Sequence, residues 1–597
     1  MIVILFYDFE VFRYDWLVVI LDMEAQKEHV IINDPQQLKE FYEAHKGDIW
    51  CGFNSNWYDQ YILKAILLDF NPKEVNDFII EKGNDGWRYS SLFRKIFLIS
   101  YDVMLGSDKG LKVLEGFMGH NIKESSVDFK INRKLTPAEI AETVKYCRHD
   151  VEQTVEVFIR RIDEFQTKMF FIKHFKYPLS DLSKTKAQLA AKIIGANHKG
   201  KGFDDEFQFP ILDCLDLKKY RYIADWYKDP QNHNYSRSQE GVMVAGVEHT
   251  FSWGGGHGAR GKFHAKGDFL IIDVTAYYPS QQEKYKFGYR VMDNPENFEF
   301  IHQNNIKYKR MGDKKARLPF KIMDNAISGQ MKQASSALYD PMSNNSICIN
   351  GQLLLLDLVE HLEPYSQLIQ NNTDGLIIRL YDYDRDFDLI DGIVSEWESR
   401  TGMKMDFDTF FGEIYQKDVN NYLLLDRENG AVKAKGAYLK DLSELDYDLP
   451  IVNRAMVSYM INGIHPSVTI NGCDDLKEFQ MVRRISRKYT QILYGGCWVN
   501  ERRINPQTGR AKTFKKFVGE RRGLKERCVR AFASTNQDDG GLWKLKGADK
   551  VEKLEGTPEH CFIFNESVNG VSCPAHLDKQ WYIDLAIKRL ADFGVRL

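Results

Sequence analysis

Residues 2–12, IVILFYDFEVF, decide how the amino-terminal part of the chain folds. Side chains alternate along a β-strand, so Ile2, Ile4, Phe6, Asp8 and Glu10 fall on one face. Three apolar side chains followed by two acids predict a buried strand that ends on a pair of carboxylates. Such a pair repels itself and loses solvation, and a divalent cation relieves both penalties. Two exposed acids at a strand end are the plain alternative for this stretch alone.

Two further acids extend the pattern. Asp59 follows the short apolar run DIWCGFN (48–54), five residues after Asn54. Asp150 sits in PAEIAETVKYCRHDVEQTVEVFIRRI (137–162), a helical stretch on which Tyr146, Asp150 and Thr154 share a face. Two metal ions roughly 4 Å apart, held by such a set, activate water and stabilise a leaving oxygen. Asp8, Glu10 and Asp150 are the expected ligands. Asp59 supports the outer ion, and Tyr146 orients the attacking water.

A second set lies downstream. DFLIIDVTAYYPS (268–280) predicts a strand that ends on Asp273. In KIMDNAISG (321–329), Lys321 and Asn325 share one helical face. SQLIQNNTDGLIIRL (366–380) predicts strand, tight turn and strand, with Asp374 in the turn. The glycine-rich FSWGGGHGARGKF (251–263) lacks the GxGxxG spacing and a following helix signal, which argues against a dinucleotide site.

At 597 residues the chain is too long for one core, and about three to five domains are expected. Between Met481 and Arg530, fifteen lysines and arginines face three acids, while the whole chain carries a net −3. A basic segment on an otherwise acidic protein is the footprint of a nucleic-acid track. Tyr489, Trp498, Phe514 and Phe517 interleave with that charge and suit sugar or base contacts. A solvated lysine-rich face is the alternative. The nine cysteines form no CxxC pair, which argues against zinc and disulfides and fits a reducing cytosol. The amino terminus is apolar for only six residues and lacks the cationic start of a signal peptide. No apolar run approaches the roughly 18 residues of a membrane span.

DFE (8–10), NSNWYD (54–59) and YCRHD (146–150) resemble the three exonuclease motifs of family B DNA polymerases: DxE, Nx(2–3)(F/Y)D and YxxxD. GLKVLEGFMGHNIKESSVDF (110–129) and LTPAEIAETVKYCRHDVE (135–152) are similar to phage-type members, without the protein-priming insertion. The resemblance continues through KDVNNYLLL (417–425), VRAFAS (529–534) and LDKQWYIDLAIKRLADFG (577–594), and is weakest over 165–245. It implies a ribonuclease-H-like domain that cuts 3′ to 5′, with Asn54 holding the strand end. Lys123 is a candidate contact for the scissile phosphate, with a plain surface lysine as the alternative.

The second set resembles the polymerase motifs of the same family. FSWGGG resembles the YxG(G/A) block, with Gly255 and Gly256 against template DNA. DVTAYYPS resembles motif A, DxxSLYP. It makes Asp273 and the carbonyl of Val274 metal ligands and places Tyr278 against a ribose 2′-hydroxyl; Ala276 and Tyr277 replace the usual Ser-Leu. KIMDNAISG resembles motif B, Kx3NSxYG, with Lys321 and Asn325 on the incoming nucleotide. Ala326 replaces its Ser, and Ser328 replaces the Tyr that packs under the new base pair. Lys309, in KYKRMGDKKAR (307–317), is a second triphosphate contact. NTDG resembles motif C, DTDS. Asp374 keeps the metal-binding position, and Asn372 replaces the first Asp, coordinating without charge. Tyr422 matches the aromatic of the KxY motif, with Asn420 in place of its Lys. Lys435-Gly436 resembles the following KG block. Tyr422, Lys435 and Gly436 are therefore expected DNA contacts or, equally, ordinary strand residues.

The implied architecture is an α/β and α+β multidomain chain: a ribonuclease-H-like exonuclease plus a right-hand polymerase. Residues 1–165 are the expected exonuclease and 166–250 a connecting region. Residues 251–281 and 346–440 are the palm, 282–345 the fingers, and 441–597 a thumb carrying the basic segment. The resemblance implies Mg²⁺ (Mn²⁺ as an alternative), two ions per site. It also implies primer-template DNA, dNTPs and replication accessory proteins as partners, for a monomer in the cytoplasm, the host's if the genome is viral. Asp273 and Lys321 are only 48 residues apart, which leaves no room for the insertion of protein-primed relatives. Extension of a nucleic-acid primer with modest processivity follows. Two rivals remain: a nuclease whose second half only grips DNA, suggested by Asn372 and Ser328, and a non-enzymatic DNA-binding subunit.

Overall fold

The computed structural model describes residues 2–106, 109–197 and 203–597. Its first sheet has five strands: β1 (Ile4–Val11), β2 (Trp16–Asp22), β3 (Lys27–Ile32), β4 (Ile49–Gly52) and β5 (Ile99–Asp102). They lie in the order β3-β2-β1-β4-β5, antiparallel from β1 to β3 and parallel from β1 to β5. Strand β1 is therefore central, and both of its faces are buried. Leu5, Tyr7 and Phe9 pack with Trp50 and Ile62 on one side. Phe6 packs on the other side, edge to face with Phe158 at 5.2 Å. Ile2, expected on that buried face, precedes the strand and is exposed.

Phe158 belongs to the helix Pro137–Arg160. Thr136 and Glu139 form a capping box at its start, and Pro137 takes the first turn, where a missing N–H costs nothing. The helix lies across β1 and β2 and brings its acidic face over the end of β1.

The second sheet has nine strands. They are β6 (Gln239–Val244), β7 (Val247–Phe251), β8 (Gly256–Ala259), β9 (Phe263–Val274), β10 (Ser366–Asn371), β11 (Gly375–Leu380), β12 (Met405–Asp418), β13 (Asn421–Asp426) and β14 (Val432–Lys435). Their order is β14-β13-β12-β9-β11-β10-β8-β7-β6, with antiparallel pairing along the sheet from β14 to β6. Residues 239–250, expected in the connecting region, thus form two strands of this sheet. Tyr220 and Tyr227 of the preceding segment share a core with Val244, Val247 and Trp253, which draws that edge into the larger unit. The helix Pro341–Leu362 is buried along most of its length against the sheet.

Between β9 and β10, the helices Pro295–Arg310 and Lys314–Ser328 pack on each other. Phe320, Met323 and Ile327 join the core of Phe171, Ile172 and Leu189, so this pair stands on the helices that follow the first sheet.

The C-terminal part is built from small sheets. Its strands are β15 (Met481–Arg484), β16 (Gln491–Tyr494), β17 (Cys497–Ile504), β18 (Ala511–Val518), β19 (Arg522–Gly523), β20 (Cys528–Ala533), β21 (Leu542–Lys546), β22 (Lys550–Lys553) and β23 (Cys561–Ile563). Strands β17 and β18 pair only with each other, as a ribbon that carries much of the basic segment. Trp498 and Phe514 are exposed on it. No helix among the described residues is long and apolar enough to cross a membrane.

Candidate active sites

Three elements bring the first carboxylate set together. Asp8 and Glu10 stand at the end of β1, and Glu10 is 8% exposed. Asp59, 2% exposed, opens the helix Asp59–Leu67 and accepts from the Phe9 N–H at 3.1 Å. Asp150 arrives on the helix Pro137–Arg160, whose Cys147 donates its thiol to the Asp8 carbonyl at 3.3 Å. The ligand atoms of Asp8, Glu10 and Cys147 lie within 4.8 Å of one another. Burial, then the neighbouring carboxylates, pushes Asp8 and Glu10 far above the usual carboxylate range. Burial also pushes Asp59 up to about 7 and Asp150 up to about 6. Converging acids that cannot all ionise together fit a hard divalent cation, which takes oxygen ligands and leaves the Cys147 thiol as a neighbour.

The loop before Asp59 is held by a residue that sequence reasoning missed. Asn54 has φ +63°, in the left-handed region. The Asn54 and Asn56 N–H groups both donate to the Asp102 carboxylate, at 2.8 and 3.0 Å. Lys112 was missed as well. Its ammonium lies 2.7 Å from Asp150 and 3.1 Å from Glu115, and over the Tyr146 ring at 4.6 Å. Burial pulls Lys112 down, but the two carboxylates outweigh it and keep it charged. A lysine one turn from a glutamate is too common on helices to single out without the fold. The Tyr146 hydroxyl donates to Glu124 at 3.3 Å. Lys123 pairs with Glu566 at 2.6 Å on the surface. A groove of about 810 Å³ runs from Glu10 past Arg13, Tyr14, Tyr58 and Phe129.

These shifts set a pH dependence of stability. A carboxyl raised in the folded state binds its proton more tightly there than in the unfolded chain. Its contribution is greatest below the ordinary carboxylate pKa of about 4 and is lost as pH rises toward about 7. In chelator, Tm is therefore expected to fall between pH 5 and pH 8. Magnesium should restore several degrees at pH 8 and little at pH 5. A magnesium response equal at both pH values would mean that these carboxyls are not where the ion binds.

The second set is looser. Asp273 pairs with Gly375 of β11 on one side and Asp406 of β12 on the other. The Val274 N–H donates to the Asp374 carbonyl at 2.8 Å, which fixes the turn against the strand end. A Cβ at position 375 would run into the Asp273 carboxylate, so the glycine of NTDG is a steric requirement. Burial raises Asp273, and Lys433 opposes it from 3.4 Å. Lys433 also pairs with Asp408 at 3.0 Å. Neither Lys433 nor Asp406 was singled out in the sequence. Among the described residues, Asp8, Glu10 and Cys147 are the one group of three possible ligand atoms within 4.8 Å of one another, and the second set forms none.

The residues expected around the second set fall at different depths. Ala276 has φ +46°, a strained position for a residue with a Cβ, and turns the chain from β9 into the helix Tyr277–Tyr285. Tyr278 is partly buried there, its ring 6.0 Å from that of Tyr277 and close to Gly351. Lys321 and Asn325 are exposed on one helical face, while Asp324, at the border of that face, is buried on His302, at 2.9 Å. Lys309 reaches Asp406 and, at 3.1 Å, the Thr275 hydroxyl, beside a cavity of about 680 Å³ that Lys284, Arg310 and Lys404 also line. Gly255 lies near Thr373, whereas Gly256 is buried against Gln352 and Phe251 and serves packing. The Tyr422 ring is buried in the sheet core beside Leu424. Lys435 pairs in register with it, and Gly436 has φ +105° against Asn421.

No family model matches the chain, and no curated protein matches it. Among solved structures the chain is similar to the family B DNA polymerase from the hyperthermophilic archaeon Pyrobaculum calidifontis. Identity is 12% and the TM-score 0.41, over 100% of this chain and 78% of that one. A likeness of that degree assigns no role to any residue here. The structure is that of a mixed α/β multidomain protein with two carboxylate sets, one gathered at the end of β1 and the other at the end of β9, on separate sheets.

Proposed function

We propose that the chain is a template-directed DNA polymerase with a 3′→5′ exonuclease, extending a nucleic-acid primer for a phage or phage-like genome. The observation that carries this reading is the close approach of Asp8 and Glu10 at the end of β1, with Asp59 and Asp150, from two helices, near enough to raise them further. A second pair, Asp273 and Asp374, stands at adjoining strand ends of another sheet. The first sheet with its helices is the proposed ribonuclease-H-like exonuclease, and the nine-stranded sheet is the proposed palm. The two helices between β9 and β10 are the proposed fingers, and the C-terminal sheets the thumb.

Divalent ions, when bound, would activate water at the first set and the primer 3′-hydroxyl at the second, and offset phosphate charge at both. Asp8, Glu10 and Asp150 would hold them in the nuclease, with Lys112 keeping Asp150 ionised. Asp273, the Val274 carbonyl and Asp374 would hold them in the palm. Lys321 and Lys309 would neutralise the triphosphate as the α-phosphorus is attacked and pyrophosphate leaves. Tyr278 would close the space beside the sugar C2′. Tyr278→Ala is expected to raise ribonucleotide incorporation at least about tenfold, measured as alkali-labile sites in the product; unchanged discrimination would remove Tyr278 from the nucleotide pocket.

The test is extension of a 5′-labelled primer on a longer template with Mg²⁺, with and without dNTPs, beside Asp374→Ala. Elongation with dNTPs, shortening without them, and loss of elongation alone in the variant support the proposal. Shortening under every condition favours the second reading, a nuclease whose palm only grips DNA. Lys433 against Asp273 and the uncharged Asn372 are the observations on its side.

A further inference from the structure

The nuclease reading assigns Asp150 and Lys112 to one site, and the helix that carries Lys112 is seated by residues more than 350 positions away. That helix, Leu111–Met118, turns Lys112 and Glu115 toward Asp150. Its other side rests on the C-terminal strands β15 and β20. Val113 and Phe117 pack there with Val482 and Cys528. Gly116 lies so close to β15 that an added Cβ would stand 2.8 Å from a Val482 methyl.

Arg530, on β20, is fully buried at this junction. Its guanidinium donates to the carbonyls of Gly116 at 2.9 Å and His120 at 2.8 Å, at the C-terminal turn of the helix. The remaining donors meet Gln480 at 3.0 Å and the Glu566 carbonyl at 2.7 Å. Each of these partners is an uncharged carbonyl or amide oxygen, so the buried charge leans on the negative end of the helix. Backbone bonds close the rest of the turn: the Val568 N–H donates to Gly119 at 2.9 Å and the Ile122 N–H to Asn565 at 2.8 Å.

We infer that Arg530 is a positioning residue for the nuclease: the C-terminal sheet, through Arg530, sets where Lys112 stands against Asp150. The consequence is a coupling between the part of the chain proposed to grip duplex DNA and the part proposed to trim it. The inference rests on the proposed nuclease activity.

Two perturbations test it on the full-length chain. Arg530→Met keeps the volume and removes the charge. Gly116→Ala keeps every charge and pushes the helix off β15, and adding Val482→Ala removes the methyl groups it meets. The readouts are kcat and KM for degradation of a 5′-labelled single-stranded oligonucleotide, the single-turnover extension rate, and Tm. Arg530→Met and Gly116→Ala are each expected to lower nuclease kcat about tenfold or more, since small misplacements of catalytic groups are that costly. KM and extension should stay within about threefold, and Gly116→Ala/Val482→Ala should recover most of the lost kcat. An unchanged kcat in Gly116→Ala, a double variant no faster than Gly116→Ala, or equal losses of nuclease and extension would overturn the inference. If Arg530→Met does not fold, the Gly116 pair decides. A wild-type chain with no nuclease activity at all would instead overturn the functional reading beneath it.

Discussion

Replacing both Asp8 and Glu10 with alanine is expected to lower degradation of a labelled strand by about three orders of magnitude or more, roughly 4 kcal/mol of transition-state stabilisation. Extension with dNTPs should survive, because Asp273 and Asp374 stand on a different sheet with a different core. Accumulated misincorporated ends are the expected second signature. The variant should also be no less stable than wild type in chelator at pH 8, where burial of Asp8 and Glu10 works against the folded state. Loss of both activities together would mean that the two sets share one site or that the variant is misfolded. The Tm comparison separates these outcomes.

Asp273→Ala is the complementary case. Primer elongation is expected to fall by about four orders of magnitude, and degradation of the same primer should persist. Asp273 is the carboxylate that Lys433 and Gly375 approach directly and on which the charges of Asp374 and Asp408 also act. Removing it leaves Lys433 paired with Asp408, so the strand end should keep its shape. Single-turnover extension at saturating dNTP isolates the chemical step from binding. Elongation that survives this substitution would assign the reaction to other carboxylates and remove the case for β9 as the catalytic strand.

Much of the two sites was legible before folding. The run ending at Asp8 and Glu10, the helix bearing Asp150 and the strand ending at Asp273 follow from periodicity, and the structure has each as an element of that kind. Lys321 and Asn325 do share an exposed helical face. The helpers were not legible. Lys112, Glu115, Asp102, Lys433 and Asp406 carry no local signal, because a lysine or aspartate on an amphipathic element is by default a solvated one. They acquire a role only when another element arrives beside them, as β14 brings Lys433 to Asp273.

Local order along the chain, alternation in strands and spacing on helices, was enough to single out Asp8, Glu10, Asp150 and Asp273 as candidate site residues. That information is short-range, and it survives in the sequence because each element must bury one face. Only the tertiary structure decided that residues 239–250 complete the second sheet, that Gly256 serves packing, and that Arg530 is spent on the turn after Met118. Those are long-range pairings, and a buried charge or a missing side chain has meaning only with respect to what lies against it.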